Sequence, residues 1–153
     1  MKIVPYDAKY KNDFIELNKA WIIDMFHEIE PIDLKELGNI EATVNNGGNV
    51  FFAVDENDNV MACCMIGQRE DGDWEIMKFA ARGMYTGTGA GTACLKACIE
   101  YAREKQVGRI IIVSNTKCVH AIRLYRKLGF NEMPLDRKKF PFKRADISFE
   151  MYL

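Results

Sequence analysis

Three alternate glycines in Tyr85-Thr86-Gly87-Thr88-Gly89-Ala90-Gly91 constrain this chain more than any other stretch. They separate a strand pattern, Trp74 to Ala81, from a helix pattern running from Gly91 to Lys105. Glycine admits positive φ and leaves no side chain in the way, so backbone N–H groups in such a turn can close on an anion. The helix N-terminus that follows adds unpaired donors and the positive end of the helix dipole. Strand, anion-holding turn and helix are therefore predicted in succession.

The remaining segments sort by hydrophobic period. Lys2 to Pro5 suits a short strand, and Phe14, Leu17, Trp21 and Met25 recur behind it at helical spacing. A second helix is predicted near Leu34 to Val44, stopped by Asn45-Asn46-Gly47-Gly48. Val50 to Val54 and Val60 to Ile66 make a predicted antiparallel hairpin around Asp55 to Asn59, with Trp74 to Ala81 as the next strand. In the helix after the glycines, Ala90, Ala93, Cys94, Ala97, Cys98 and Tyr101 form a face of mostly small residues that admits close packing on a sheet. Arg109 to Val113 is a nearly all β-branched run suited to a buried central strand. Lys117 to Leu128 is a short helix closed by Gly129, and Asn131 to Met133 and Ala145 to Leu153 are the last strands. A crossover helix joins parallel strands, whereas the hairpin before it is antiparallel. The expected fold class is α/β, one domain over residues 1–153 with a mixed sheet.

At 153 residues, 48% of them apolar, the chain can bury roughly two-thirds of its unfolded surface in a single core. No stretch approaches the roughly 20 apolar residues of a membrane span, and Met1 to Tyr6 lacks the apolar core of a signal peptide. A cytoplasmic protein without a membrane partner is expected. The five cysteines include no CxxC, and only His27 and His120 offer nitrogen ligands, so no metal is expected and the thiols read as buried and reduced. The net charge of −1 hides an asymmetry: residues 1–75 carry 16 acidic and 6 basic side chains, residues 76–153 carry 6 and 15. Either the halves neutralise each other or the basic half attracts a polyanion. Arg137-Lys138-Lys139 and Lys143-Arg144 interleave with Phe140 and Phe142 as in single-strand nucleic-acid binders, but the slightly acidic total weighs against that partner.

Two common nucleotide motifs fail at the glycine turn. Walker A requires Gly-Lys-Ser/Thr, which is absent, and GxGxxG would need glycine at Thr92 and an acidic residue about 20 positions on, where Ser114 and Asn115 stand. The turn aligns instead with the pyrophosphate motif R/Q-x-x-G-x-G/A, through Thr86, Gly87, Thr88, Gly89, Ala90 and Gly91. Downstream, Ala121-Ile122-Arg123-Leu124-Tyr125-Arg126-Lys127-Leu128-Gly129-Phe130 matches A-x-x-L-Y-x-x-x-G-F. With these two motifs in order, about residues 50 to 153 resemble the GNAT superfamily of N-acetyltransferases, while residues 1 to 49 match it in layout only.

The resemblance implies a sheet whose central parallel pair splays to admit the pantetheine arm of acetyl-CoA. By position, Phe79, Ala80 and Ala81 would offer backbone groups to that arm and to the thioester carbonyl. Thr86 and Gly87 through Thr92, including Thr88, Gly89, Ala90 and Gly91, would hold the pyrophosphate, and Asn115 and Tyr125 would flank the sulfur. Thr86 departs from the usual Arg or Gln and removes a long donor from the phosphate site.

Transfer of acetyl to an amine requires a neutral amine, a held oxyanion and a proton for the departing thiolate. The backbone N–H near Ala81 is the candidate for the oxyanion. Tyr125 is the candidate acid, because a phenol of pKa near 10 remains protonated beside a thiol of pKa near 8.5. Glu75 is the first choice of base. A covalent route through Cys118 with His120 as base is disfavoured, because residues two apart on a helix do not face each other. The first helices, which usually shape the acceptor site in this superfamily, contain Trp21, Phe26, His27, Glu28, Glu30 and Asp33; an aromatic and acidic pocket suits a cationic amine acceptor. The expected function is N-acetylation of a primary amine by direct attack in a ternary complex. The alternative is a non-catalytic acyl-CoA sensor of the same fold, and a homodimer is left open.

Overall fold

The computed structural model describes every residue except Thr86. The expected departure from the phosphate motif at Thr86 therefore lies outside the described residues. Strands β1 (Lys2–Val4), β2 (Asn49–Val54), β3 (Val60–Gln68), β4 (Trp74–Ala81), β5 (Arg109–Ser114), β6 (Asn131–Met133) and β7 (Ile147–Tyr152) make one sheet in the order β1-β2-β3-β4-β5-β7-β6. Successive neighbours from β1 to β4 are antiparallel, β4 and β5 are parallel, and β7 lies antiparallel to both β5 and β6. The mixed α/β sheet is the one expected from the sequence.

Helices α1 (Lys11–Phe26), α2 (Pro31–Gly38) and α3 (Ile40–Asn45) cover one face, where Phe14, Leu17, Leu37 and Ile40 pack on Val50, Phe52, Cys63 and Met65. Helices α4 (Ala90–Glu104) and α5 (Val119–Lys127) cover the other, where Cys94, Leu95, Cys98 and Tyr125 meet Ala53, Cys64, Ile66 and Ile110. Adjacent Cys63 and Cys64 thus face opposite layers, as the two-residue period of a strand requires.

Two sequence expectations change. The single helix expected near residues 34–44 is two: Pro31 opens α2 under a capping box from Glu30 and Asp33, and the chain breaks at Gly38 and Asn39 before α3 begins. On α4, Leu95, Ile99 and Ala102 are buried, while Ala93 and Ala97 are only half-buried. Trp21 and Met25 are half-buried and line a cleft, and Trp21 also packs on the core of this layer.

Two irregularities of β4 shape that cleft. Between Met77 and Ala80 it spends three steps where β3 spends two, from Met65 to Cys63, and Lys78 takes φ +54. This is a β-bulge. Before it, Ile76 faces α4 and Met77 faces α1; after it, Phe79 faces α4 and Ala80 faces α1. Were β4 regular through Lys78, Phe79 would fall on the α1 side, since side chains alternate strictly along a regular strand. The second irregularity is the parallel pairing of β4 with β5, which holds only at Trp74–Ile110 and Glu75–Ile111. Beyond Glu75 the strands part.

The opposed charges of the two halves meet inside the molecule. Asp13 pairs with Arg82 at 3.0 Å, Glu36 with Lys78 at 2.7 Å, Asp71 with Lys139 at 3.1 Å and Glu30 with Arg144 at 3.7 Å. Asp33 also binds Arg144, and Asp73 binds Lys139 and Arg109. Phe140 is 1% exposed, under the Arg69 guanidinium. Of the basic, aromatic segment near the C-terminus, Lys139, Phe140 and Arg144 are thus taken up in pairs and core, while Arg137, Lys138, Phe142 and Lys143 are exposed.

Candidate active site

The glycine turn does what its spacing predicts. Gly87 and Gly89 have φ of +83 and +85, a conformation that costs an L-residue about 1–2 kcal/mol, and Gly89 caps α4. Thr88 Oγ1 donates to the Tyr85 carbonyl at 2.6 Å and tightens the turn. The first backbone bond of α4 runs from Ala93 N to Gly89 O, so the N–H groups of Gly91 and Thr92 have no backbone partner among the described residues. A Cβ on Gly91 would stand 3.1 and 3.2 Å from two ring carbons of Phe79, which places the glycine turn directly against the strand that the bulge has re-phased.

Phe79, the glycine turn and the splayed ends of β4 and β5 open on one cleft of about 1850 Å³. Drug-sized ligands occupy roughly 300–1,000 Å³, so this space suits a long co-substrate together with a second molecule. Phe79, Ala80, Ala81, Gly87, Gly89, Gly91, Thr92, Asn115 and Tyr125 all line it. The Tyr125 ring packs against Phe79, Phe130 and Phe149, at centroid distances of 6.2, 6.2 and 5.7 Å. Burial pushes its phenol well above the ordinary value, with no hydrogen bond from a described residue contributing to the shift. The phenol is therefore protonated at neutral pH, with its hydroxyl uncommitted to another described group.

The family model for the acetyltransferase (GNAT) family matches residues 14–130, which contain most of α1, the bulged strand, the glycine turn and Tyr125. The chain belongs to the GNAT acetyltransferase family. It is an acyltransferase. No significant match occurs among curated proteins. Among solved structures, a GNAT-family acetyltransferase from Staphylococcus aureus Mu50 superposes with a TM-score of 0.87 at 22% identity, over 99% of this chain and 98% of that one. A ribosomal-protein-alanine N-acetyltransferase from Brucella melitensis gives 0.81 at 19% identity, with each chain covered over 100%. A phosphinothricin acetyltransferase from Sinorhizobium meliloti, solved with acetyl-CoA, gives 0.78 at 18%, over 99% and 88%.

In this GNAT chain the parting of β4 from β5 leaves Ile76 to Ala81 unpaired on one edge. Glu75, at the last paired position, lines the cleft on the α1 side of the sheet, opposite Tyr125 on the α5 side. The Glu75 side chain is 15% exposed and accepts from Arg69 at 3.2 Å. Burial raises its pKa while Arg69 and Lys78 oppose the rise. Asn115 lines the cleft too, but its amide is engaged: Nδ2 donates to the Arg144 carbonyl at 2.8 Å and Oδ1 accepts from Lys117 N at 2.9 Å. Cys118 is buried, with its thiol pKa raised by burial, whereas His120 is exposed.

The four candidate acceptor residues divide. Trp21, Phe26 and Glu30 line the cleft, whereas Glu28 is exposed and lies outside its wall. Phe26 carries Lys117 and Arg144 at 5.8 and 5.2 Å from its ring centre, and Arg144 also takes up Glu30 and Asp33. Asp33 has no free oxygen, since Oδ2 accepts from Glu30 N at 2.9 Å and Oδ1 accepts from Arg144. Four residues escaped the sequence reading: Arg69, Lys78, Arg144 and Asn18. Asn18 is 2% exposed in the cleft wall, with its Nδ2 given to the Phe14 carbonyl. An Asn four positions after Phe14, on an otherwise apolar helix face, was the available signal for it.

Proposed function

We propose that this chain transfers acetyl from acetyl-CoA to a primary amine, by direct attack within a ternary complex. The observation that carries the reading is the convergence, in one cleft, of the positive-φ glycine turn, the parted edge of β4 and the unpartnered Tyr125 hydroxyl. The glycine turn and the N–H groups of Gly91 and Thr92 fit a pyrophosphate, and the strand edge from Phe79 to Ala81 fits an amide-rich arm.

In this reading Glu75 accepts the proton that leaves the amine, directly or through one water. The amine nitrogen forms its bond to the acyl carbon, and the backbone N–H near Ala81 holds the oxyanion while the carbon–sulfur bond breaks. Tyr125 gives its phenolic proton to the sulfur. General acid catalysis of this kind contributes about 10²–10⁴-fold. The acceptor is a small-molecule, lysine-like or N-terminal amine seated near Trp21 and Phe26. With Glu30 and Asp33 engaged by Arg144, and with Lys117 and Arg144 over the Phe26 ring, Trp21 is the ring that would attract a cationic amine.

The test is release of free thiol from acetyl-CoA across a panel of amines, with calorimetry of CoA binding alongside. Turnover with at least one amine, lowered about 100-fold or more in Tyr125→Phe with CoA affinity retained, is the expected result. Tight CoA binding without thiol release from any amine would replace the enzyme by an acyl-CoA sensor.

A further inference from the structure

We propose that Arg69 is a positioning residue for Glu75, fixing one oxygen of this carboxylate so that the other is left for the acceptor amine. The proposal rests on the assignment of Glu75 as the base. Arg69 follows β3 in the tight connection to β4, where its N–H donates to the Asp73 carbonyl at 2.7 Å and its carbonyl accepts from Gly72 at 3.0 Å. All three guanidinium nitrogens are used. One terminal nitrogen donates to Glu75 Oε1 at 3.2 Å, Nε to Asp71 at 3.3 Å, and the other terminal nitrogen to the Lys139 carbonyl at 3.3 Å. The guanidinium plane lies 4.4 Å from the centre of the Phe140 ring, which is itself fully buried. Such a head is pinned from several directions, and a planar fork is the group that can hold a carboxylate in one orientation. Glu75 Oε2 has no donor among the described residues.

The charges around Glu75 come from every neighbouring element: Arg69 and, behind it, Asp71 and Asp73 from the β3–β4 connection; Lys78 from β4; Glu36 from α2; and Lys139 from the segment before β7. Arg69 is the only one of these to hydrogen-bond the carboxylate. Burial drives Glu75 towards its neutral form, and Arg69 opposes this more than any other neighbour, so the guanidinium favours the ionised base as well as orienting it.

The experiment measures the pH dependence of kcat/KM for an amine acceptor, and KM for acetyl-CoA, in the full chain and in Arg69→Met, Arg69→Lys and Glu75→Gln. Arg69→Met is expected to move the acidic limb upward by about one pH unit, which is a loss of about tenfold on that limb, while KM for acetyl-CoA stays within about twofold. Arg69→Lys keeps the charge without the fork and is expected to restore the position of the limb but not the full kcat. It also covers the case in which Arg69→Met fails to fold. A limb that disappears in Glu75→Gln yet stays in place in both Arg69 variants overturns the role of Arg69 alone. A Glu75→Gln profile like that of the unsubstituted chain overturns Glu75 as the base, and the proposal with it.

Discussion

Replacing Gly91 by alanine tests whether Phe79 seats the co-substrate. The new Cβ would lie 3.1 and 3.2 Å from Phe79 Cζ and Cε1, against an optimal carbon–carbon separation of about 3.5–4.0 Å. The ring must retreat by about 0.3–0.5 Å. Tyr125 closes one side of it, with ring centres 6.2 Å apart, so the retreat is towards the open cleft. For stability the change is nearly neutral. Alanine gains up to about 1 kcal/mol of helix propensity in the first turn of α4, and the crowded ring gives back about the same. Since 1 kcal/mol moves Tm by about 2–4 °C in a chain of this size, Tm should shift by no more than that. The effect should appear in binding: a ring pushed into the path of the pantetheine arm raises KM for acetyl-CoA about 3–10-fold, close to 1 kcal/mol. Thiol-release kinetics with a saturating amine, together with a thermal melt, measure both. A KM that does not move while Tm rises by several degrees would refute the reasoning, because Phe79 would then be neither crowded by Gly91 nor part of the seat.

Three further outcomes follow from other parts of the structure. Asp33→Ala removes the capping oxygen of α2 and the partner of Arg144; it should cost about 1–3 kcal/mol in chemical denaturation and leave KM for acetyl-CoA unchanged. Gly48→Ala drives a Cβ to 2.5 Å from the Ile66 carbonyl and 2.9 Å from the Thr43 carbonyl, both rigid backbone, so a thermal melt should fall by about 6–12 °C, equivalent to about 3 kcal/mol. Thr86→Arg supplies the long donor usual at that motif position, and calorimetry should find CoA bound about tenfold tighter, the equivalent of one charge-assisted hydrogen bond; an unchanged constant would mean that the backbone already satisfies the phosphate.

The legibility of this chain varied with how local the determinants were. The glycine turn, the hairpin of β2 and β3 and the central strand β5 were readable because each is decided by a few adjacent residues: positive φ at Gly87 and Gly89, a turn of Asp and Asn, a run of Ile and Val. Tyr125 was readable through its motif, and its isolation from hydrogen-bond partners is a matter of packing that only the structure supplies. The bulge was hidden because lysine has no preference for positive φ; Lys78 adopts it since β3 and β4 must both pair and rephase there. Arg69, Arg144 and Phe140 were unreadable for a different reason. Their partners lie 70, 111 and 71 positions away, as Lys139, Asp33 and Arg69, and neither hydropathy nor spacing ranks one arginine above another. The same long-range pairing draws Lys139 and Arg144 out of the basic run and into ion pairs with Asp71 and Asp33.

The bulge at Lys78 turns β4 into a strand with two phases. Its first half presents Glu75 to the layer of α1, and its second half presents Phe79 to the layer of α4 and α5, so a single segment serves both molecules that must meet in the cleft. Laying the same eight residues out as a regular strand would therefore act like a frameshift written in three dimensions. Every residue would survive, yet Phe79 and Ala80 would trade layers, and the strand would no longer serve both sides of the opening.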